Sequence, residues 1–169
     1  GSPGGRSTYP FHLETPADSV GGWTQITIPW SSFLRAEWEE NAGTPIDPNS
    51  VTGFSIGLST PENERVTGTI WLDDLGLLGV EGSAAVPPQA PAGNAPSSIV
   101  IDDFEAGADS WVSNFDSSTP TSTACGLGQG TGRSGNSLQL DFNIAVNSWG
   151  ICAHEYGSRQ DWSGSNGLS

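Results

Sequence analysis

Ser137–Ile144, reading SLQLDFNI, constrains the fold more than any other stretch of the chain. Leu138, Leu140, Phe142 and Ile144 alternate with Gln139, Asp141 and Asn143 without a break. A period of two puts the apolar side chains on one face of a β-strand and a polar row on the other. Such a strand needs partners beside it and a second layer over its apolar face, which is the logic of a sandwich. With 23 Gly and 12 Pro in 169 residues and 34% hydrophobic residues, the chain is turn-rich, as many short strands require. The expected class is all-β, a β-sandwich of two antiparallel sheets.

Taken in order, the first half predicts a strand over Thr8–Glu14, interrupted by Pro10 and therefore at an edge. Trp23–Trp30 alternates and predicts a second strand, and Ser31–Ala42 predicts a short helix capped by Ser31 or Ser32. Val51–Ser59 points Phe54, Ile56 and Leu58 inward. Thr69–Leu77 reads as the last strand, with Ile70 and Leu72 inward. Trp71 then shares the outward parity with Asp73, so its own pattern does not bury it. In the second half, Val100–Glu105 starts a strand, Ala106–Ser110 is a turn before Trp111, and Thr119–Asn136 is rich in Gly, Ser and Thr and holds Cys125. Trp149–Tyr156 alternates Ile151 and Ala153 against Cys152, His154 and Tyr156. Between the halves, 81–98 is a Pro/Ala/Gly/Ser linker, so the chain divides into 1–80, the linker and 99–169. Neither half has enough strands to stand alone in water, and both are expected to contribute to one sandwich.

Net charge is −14, with five Arg and no Lys. A nucleic-acid groove needs clustered cations, so nucleic acid is an unsuitable partner. No run approaches the roughly 20 apolar residues of a membrane helix. Cys125 and Cys152 in an acidic, Gly/Ser-rich chain are expected to form one disulfide in an exported protein. The chain has no Met and no signal peptide and is read as a mature or excised segment. Enzyme chemistry finds little footing. Adjacent carboxylates such as Asp73 and Asp74 point to opposite faces of a strand, His12 and His154 lack a partner at metal-ligand spacing, and the Gly130-x-Gly132-x-x-Gly135 run precedes a strand rather than opening a helix.

Ile101-Asp102-Asp103-Phe104-Glu105, Trp111, the run from Gly135 to Phe142, Trp149-Gly150 and Asp161-Trp162-Ser163-Gly164 resemble the opening of a jelly-roll carbohydrate-binding module of the family 11 type. Gly22 to Ile26, Ile28 to Phe33, Val51 to Phe54 and Trp71 to Leu75 resemble the closing part of the same module, here placed first. The inverted order fits a permuted domain, a window across two tandem modules, or intervening residues absent from this chain. The resemblance implies a secreted, non-catalytic module that binds a polysaccharide such as a β-glucan. It also implies a structural calcium held by Asp73, Asp74, Asp103 and Glu105. A sugar face would combine an aromatic platform with amide and carboxylate partners for hydroxyls. Candidates are Trp71 and Trp149 as platforms, with Gln139, Asp141, Asn143, His154 and Tyr156 beside them. The rival expectation is a structural protein whose incomplete sandwich is finished by a strand from the next subunit, giving a homo-oligomer or polymer.

Overall fold

Three antiparallel sheets, with no α-helix, account for the regular structure of residues 7–13, 22–79 and 98–169, the residues described by this computed structural model. The linker expected at 81–98 lies outside the described residues except for Ser98. Two compact units share the chain, one made of Val51–Leu75 with Asp102–Gln160, the other of the remaining described residues.

The Val51–Leu75 and Asp102–Gln160 unit is a β-sandwich. One sheet places β9 (Trp149–Gln160) between β2 (Val51–Ser59) and β6 (Trp111–Phe115). The other places β8 (Gly135–Ile144) between β3 (Val66–Leu72) and β7 (Ser122–Gly132). Each sheet thus has one strand from before the linker and two from after it. Alternation along β8 works as its sequence dictates. Leu138, Leu140 and Ile144 are at most 1% exposed, a burial that stabilises by roughly 1.5–3 kcal/mol per side chain. Cys125 on β7 is disulfide-bonded to Cys152 on β9, tying the two sheets together. Gly150 marks a close approach between the layers, because a Cβ there would run into the Thr123 methyl and lie 2.8 Å from Ile144 Cδ1.

At one end of the interior Phe54, Trp111 and His154 lie in a single cross-strand row. Phe104 packs on Trp111 with ring centroids 5.7 Å apart, and Tyr156 meets His154 edge-on at 4.7 Å. Asp102 serves this cluster with both oxygens. Oδ2 accepts from Trp111 Nε1 at 3.0 Å and Oδ1 accepts from the Phe104 N–H at 2.9 Å. Burial, and secondarily the charge of Asp102, push the Tyr156 phenol up to about 12. A folded-state value above the unfolded one means that the neutral phenol's contribution is complete below about pH 10 and disappears as pH rises through 12. The chain has no Lys and only one other tyrosine, Tyr9, so few groups compete in that window. Urea midpoints measured from pH 9 to 12 should fall more steeply in the wild type than in Tyr156→Phe. Parallel curves would show that Tyr156 is not the group responsible.

In the other unit β10 (Gly167–Leu168) lies between β1 (Ile28–Pro29) and β4 (Leu75–Leu78), and β5 (Ser98–Asp102) follows β4 in the same sheet. Trp30 stacks on Trp162 at 5.9 Å and packs against Phe33, which in turn meets Phe11. The Trp30 indole N–H donates to the Ser165 carbonyl at 2.9 Å.

Several local expectations are corrected here. Residues 8–13 form no strand, because Pro10 lacks a donor and the Thr8 carbonyl is held instead by the Ala36 N–H. Trp23–Trp30 contributes only the two residues of β1. Ser31–Ala42 is not a helix. After a single 3-10 turn at Trp30–Ser32, Arg35 and Phe33 exchange backbone bonds with Gly43, Thr44 and Ile46, forming an irregular hairpin. The expected strand Thr69–Leu77 is broken at Asp73–Asp74, where Asp74 takes φ 51. Thr119–Asn136, whose Gly/Ser/Thr-rich composition marks no strand, contains the eleven-residue β7.

Candidate functional site

Because β8 is central and its inward residues are fixed by the core, Gln139, Asp141 and Asn143 must point out of the sandwich. The register then decides their neighbours. Thr67, Asn143 and Ser122 form one outward row, Thr69, Asp141 and Ala124 the next, and Trp71, Gln139 and Gly126 the third. Cross-strand hydrogen bonds order the polar groups. Thr69 Oγ1 donates to Asp141 Oδ1 at 2.6 Å, Gln139 Nε2 donates to Asp141 Oδ2 at 2.8 Å, and Thr67 Oγ1 donates to Asn143 Oδ1 at 3.3 Å. Asp141 is therefore a held acceptor with lone pairs to spare, and it is the one charged side chain in these three rows.

The first two rows line an open groove of about 420 Å³, walled by Thr67, Thr69, Ser122, Ala124, Asp141 and Asn143. Trp71 stands one row further along, about 7 Å on at the rise of a strand. Its indole reaches across the central strand, since its Cδ1 lies 3.3 Å from where a Cβ on Gly128 would stand. Glycine on the far strand leaves room for the ring to lie over the sheet. Trp71 remains 46% exposed. A flat aromatic surface next to an ordered row of hydroxyl, carboxylate and amide groups can stack on the apolar face of a ring and exchange hydrogen bonds with its polar substituents.

Trp71, Gln139, Asp141 and Asn143 are thus brought together, whereas the other three sugar-binding candidates are not. His154 and Tyr156 face the aromatic cluster inside the sandwich, on the opposite sheet. His154 Nδ1 is buried with no hydrogen-bond partner among the described residues. The expected orientation of β9 is reversed. The disulfide draws Cys152 inward, His154 and Tyr156 follow by parity, and Ile151 and Ala153 turn outward. Trp149 is on that outward face, across the sandwich from Trp71. Thr67, Thr69, Ser122 and Ala124 were not among the expected residues. The first two were legible by extending the parity of Trp71 back along β3. The others were hidden in a strand too rich in glycine to announce itself.

The four carboxylates expected to hold calcium each have another task. Asp73 Oδ2 accepts from the Arg133 N–H at 2.7 Å and Oδ1 from the Asp74 N–H at 2.8 Å, while Asp74 pairs with the Arg133 guanidinium at 2.9 Å. Asp103 accepts from the Glu105 N–H, and Glu105 accepts from the Asn136 N–H at 2.7 Å. Asp73 and Glu105 therefore brace the β7–β8 turn. Among the described residues no group of three or more His, Cys, Asp or Glu side chains comes together in a way that could hold a metal ion.

No helix of the described residues is long and apolar enough to cross a membrane. No protein-family model, curated protein or solved structure matches this chain.

Proposed function

We propose that the outward face of the β3–β8–β7 sheet binds a neutral polysaccharide, a β-glucan in the first instance, and that the chain is a non-catalytic carbohydrate-binding module of a secreted protein. The observation that carries this reading is the half-exposed Trp71 indole laid across the sheet beside the ordered Thr69–Asp141–Gln139 set. The charge favours an uncharged ligand, because a net charge of −14 repels a uronate-rich polymer. The three rows offer one carboxylate, whereas glycoside hydrolysis uses a pair. The Cys125–Cys152 disulfide suits an oxidising compartment. The resemblance noted in the sequence points to the same class of ligand.

Trp71→Ala should weaken binding to insoluble or soluble β-glucan by at least 10-fold, the effect of losing an aromatic anchor of about 2 kcal/mol. Asp141→Ala should weaken it as well, by removing the acceptor that orders its neighbours. Both side chains are on the surface, so melting should stay within about 2 °C of wild type. Undiminished retention in affinity gels by both variants would remove this face from consideration.

A further inference from the structure

We infer that the sandwich has a second glycan-binding face, on the outside of the β2–β9–β6 sheet, and that the chain therefore bridges two polysaccharide strands. This rests on the sugar-binding reading above and extends it to a surface of different composition.

Three outward rows build this face. Ser59 pairs with Trp149, beside which the Asp116 N–H donates to the Trp149 carbonyl. Gly57, Ile151 and Asn114 form the second row, and Ser55, Ala153 and Val112 the third. Trp149 is 43% exposed, close to the value for Trp71. Gly57 lets the Ile151 side chain lie flat across β2, since a Cβ there would stand 2.5 Å from Ile151 Cγ2. The result is a low, smooth strip with an aromatic ring at one end, hydroxyls of Ser55 and Ser59 along one margin, and the Asn114 amide along the other. Those are the groups that a pyranose chain uses: apolar contact under the ring faces and short polar side chains at the hydroxyls.

Charge selects the occupant. A second copy of this chain would bring another net charge of −14 against the first. The two rows from Gly57 to Val112 carry no charge, while Asp116 stands beside Trp149 at one end and Glu155, opposite Gly53, follows in the next row at the other. A neutral polyhydroxylic chain suits such a strip. The two faces lie on opposite sides of one sandwich whose sheets are tied by the Cys125–Cys152 bond. A stiff polysaccharide lying on one face points away from the other, so two bound faces mean two strands.

Titration calorimetry of the full chain with β-1,3- and β-1,4-linked glucose hexasaccharides tests this. Two ligands per chain are expected, falling to one in Trp149→Ala, to one in Trp71→Ala and to none in the double variant. Ser59→Lys, which places a bulky cation beside Trp149, should repeat the Trp149→Ala result in a protein whose melting confirms that it is folded. Wild type should also make a dilute high-molecular-weight β-glucan turbid, and either single Trp variant should not. One ligand per chain, lost in Trp71→Ala and unchanged in Trp149→Ala and Ser59→Lys, would overturn the second face and leave the first standing. One ligand lost only through Trp149 would overturn the bridging role together with the β3–β8–β7 site. No binding by any form would overturn both readings.

Discussion

Removing the Cys125–Cys152 bond is expected to lower stability by about 3–4 kcal/mol, the chain-entropy value for a loop of this length. At this chain size that is a fall of roughly 10 °C in Tm. The magnitude follows from which elements the bond joins. It links β7 at the edge of one sheet to β9 at the centre of the other, a direct covalent tie between the two layers. Cys152 is fully buried, and a reductant has little access to the folded protein. The cleaner comparison is therefore the Cys125→Ala/Cys152→Ala double variant against wild type, by urea titration. A difference below 1 kcal/mol would mean that the unfolded chain gains almost no freedom when the bond is removed.

Phe104→Ala should lose about 3–5 kcal/mol, the usual range for deleting a phenyl ring from a core. Phe104 is 0% exposed and packs on Trp111 within the aromatic cluster. Its backbone adds a sharper expectation. Phe104 takes φ 58, the left-handed region that bulky residues avoid, and is held there by the N–H bond to Asp102 Oδ1. Glycine enters that region without the penalty of roughly 1–2 kcal/mol that a Cβ incurs. Phe104→Gly should therefore be more stable than Phe104→Ala, by about 1 kcal/mol, reversing the usual order of Ala over Gly. Chevron or equilibrium urea data on the three proteins decide it. Glycine below alanine would show that residue 104 is not left-handed in solution.

The strands that could be read from sequence are those whose apolar and polar positions are cleanly separated. Val51–Ser59 and β8 are of that kind, and the outward set of Trp71, Gln139, Asp141 and Asn143 follows from parity alone. β7 was not legible, because its inward positions include only Thr123, Cys125 and Leu127 among glycines and hydroxyl residues, and its conformation is imposed by pairing with β8. β9 shows a different failure. Its parity was readable but its sign was not, since Ile151 and Ala153 look more like core than His154 and Tyr156. The cysteine held the answer. A residue bonded to the opposite sheet must face inward, and every second residue of β9 goes with it. The Asp73–Asp74 break and the hairpin at 33–46 depend on backbone partners far away in sequence, Arg133 in the first case and the extended Thr8 segment in the second. Propensity over a short window contains neither.

The mixed origin of each sheet bears on how the sandwich is made. Ser59 on β2 pairs with Trp149, and Thr67 on β3 with Asn143, and along the two strands the partners stand about 65–110 positions later. Emerging from a ribosome at 5–20 residues per second, β2 and β3 stay unpaired for several seconds or more. Pairings of that separation also close slowly once the chain is complete, because the loop entropy is lost before the contact forms. The sequence of β2 is suited to the delay. Its outward Gly53, Ser55, Gly57 and Ser59 leave a waiting strand with only one sticky face.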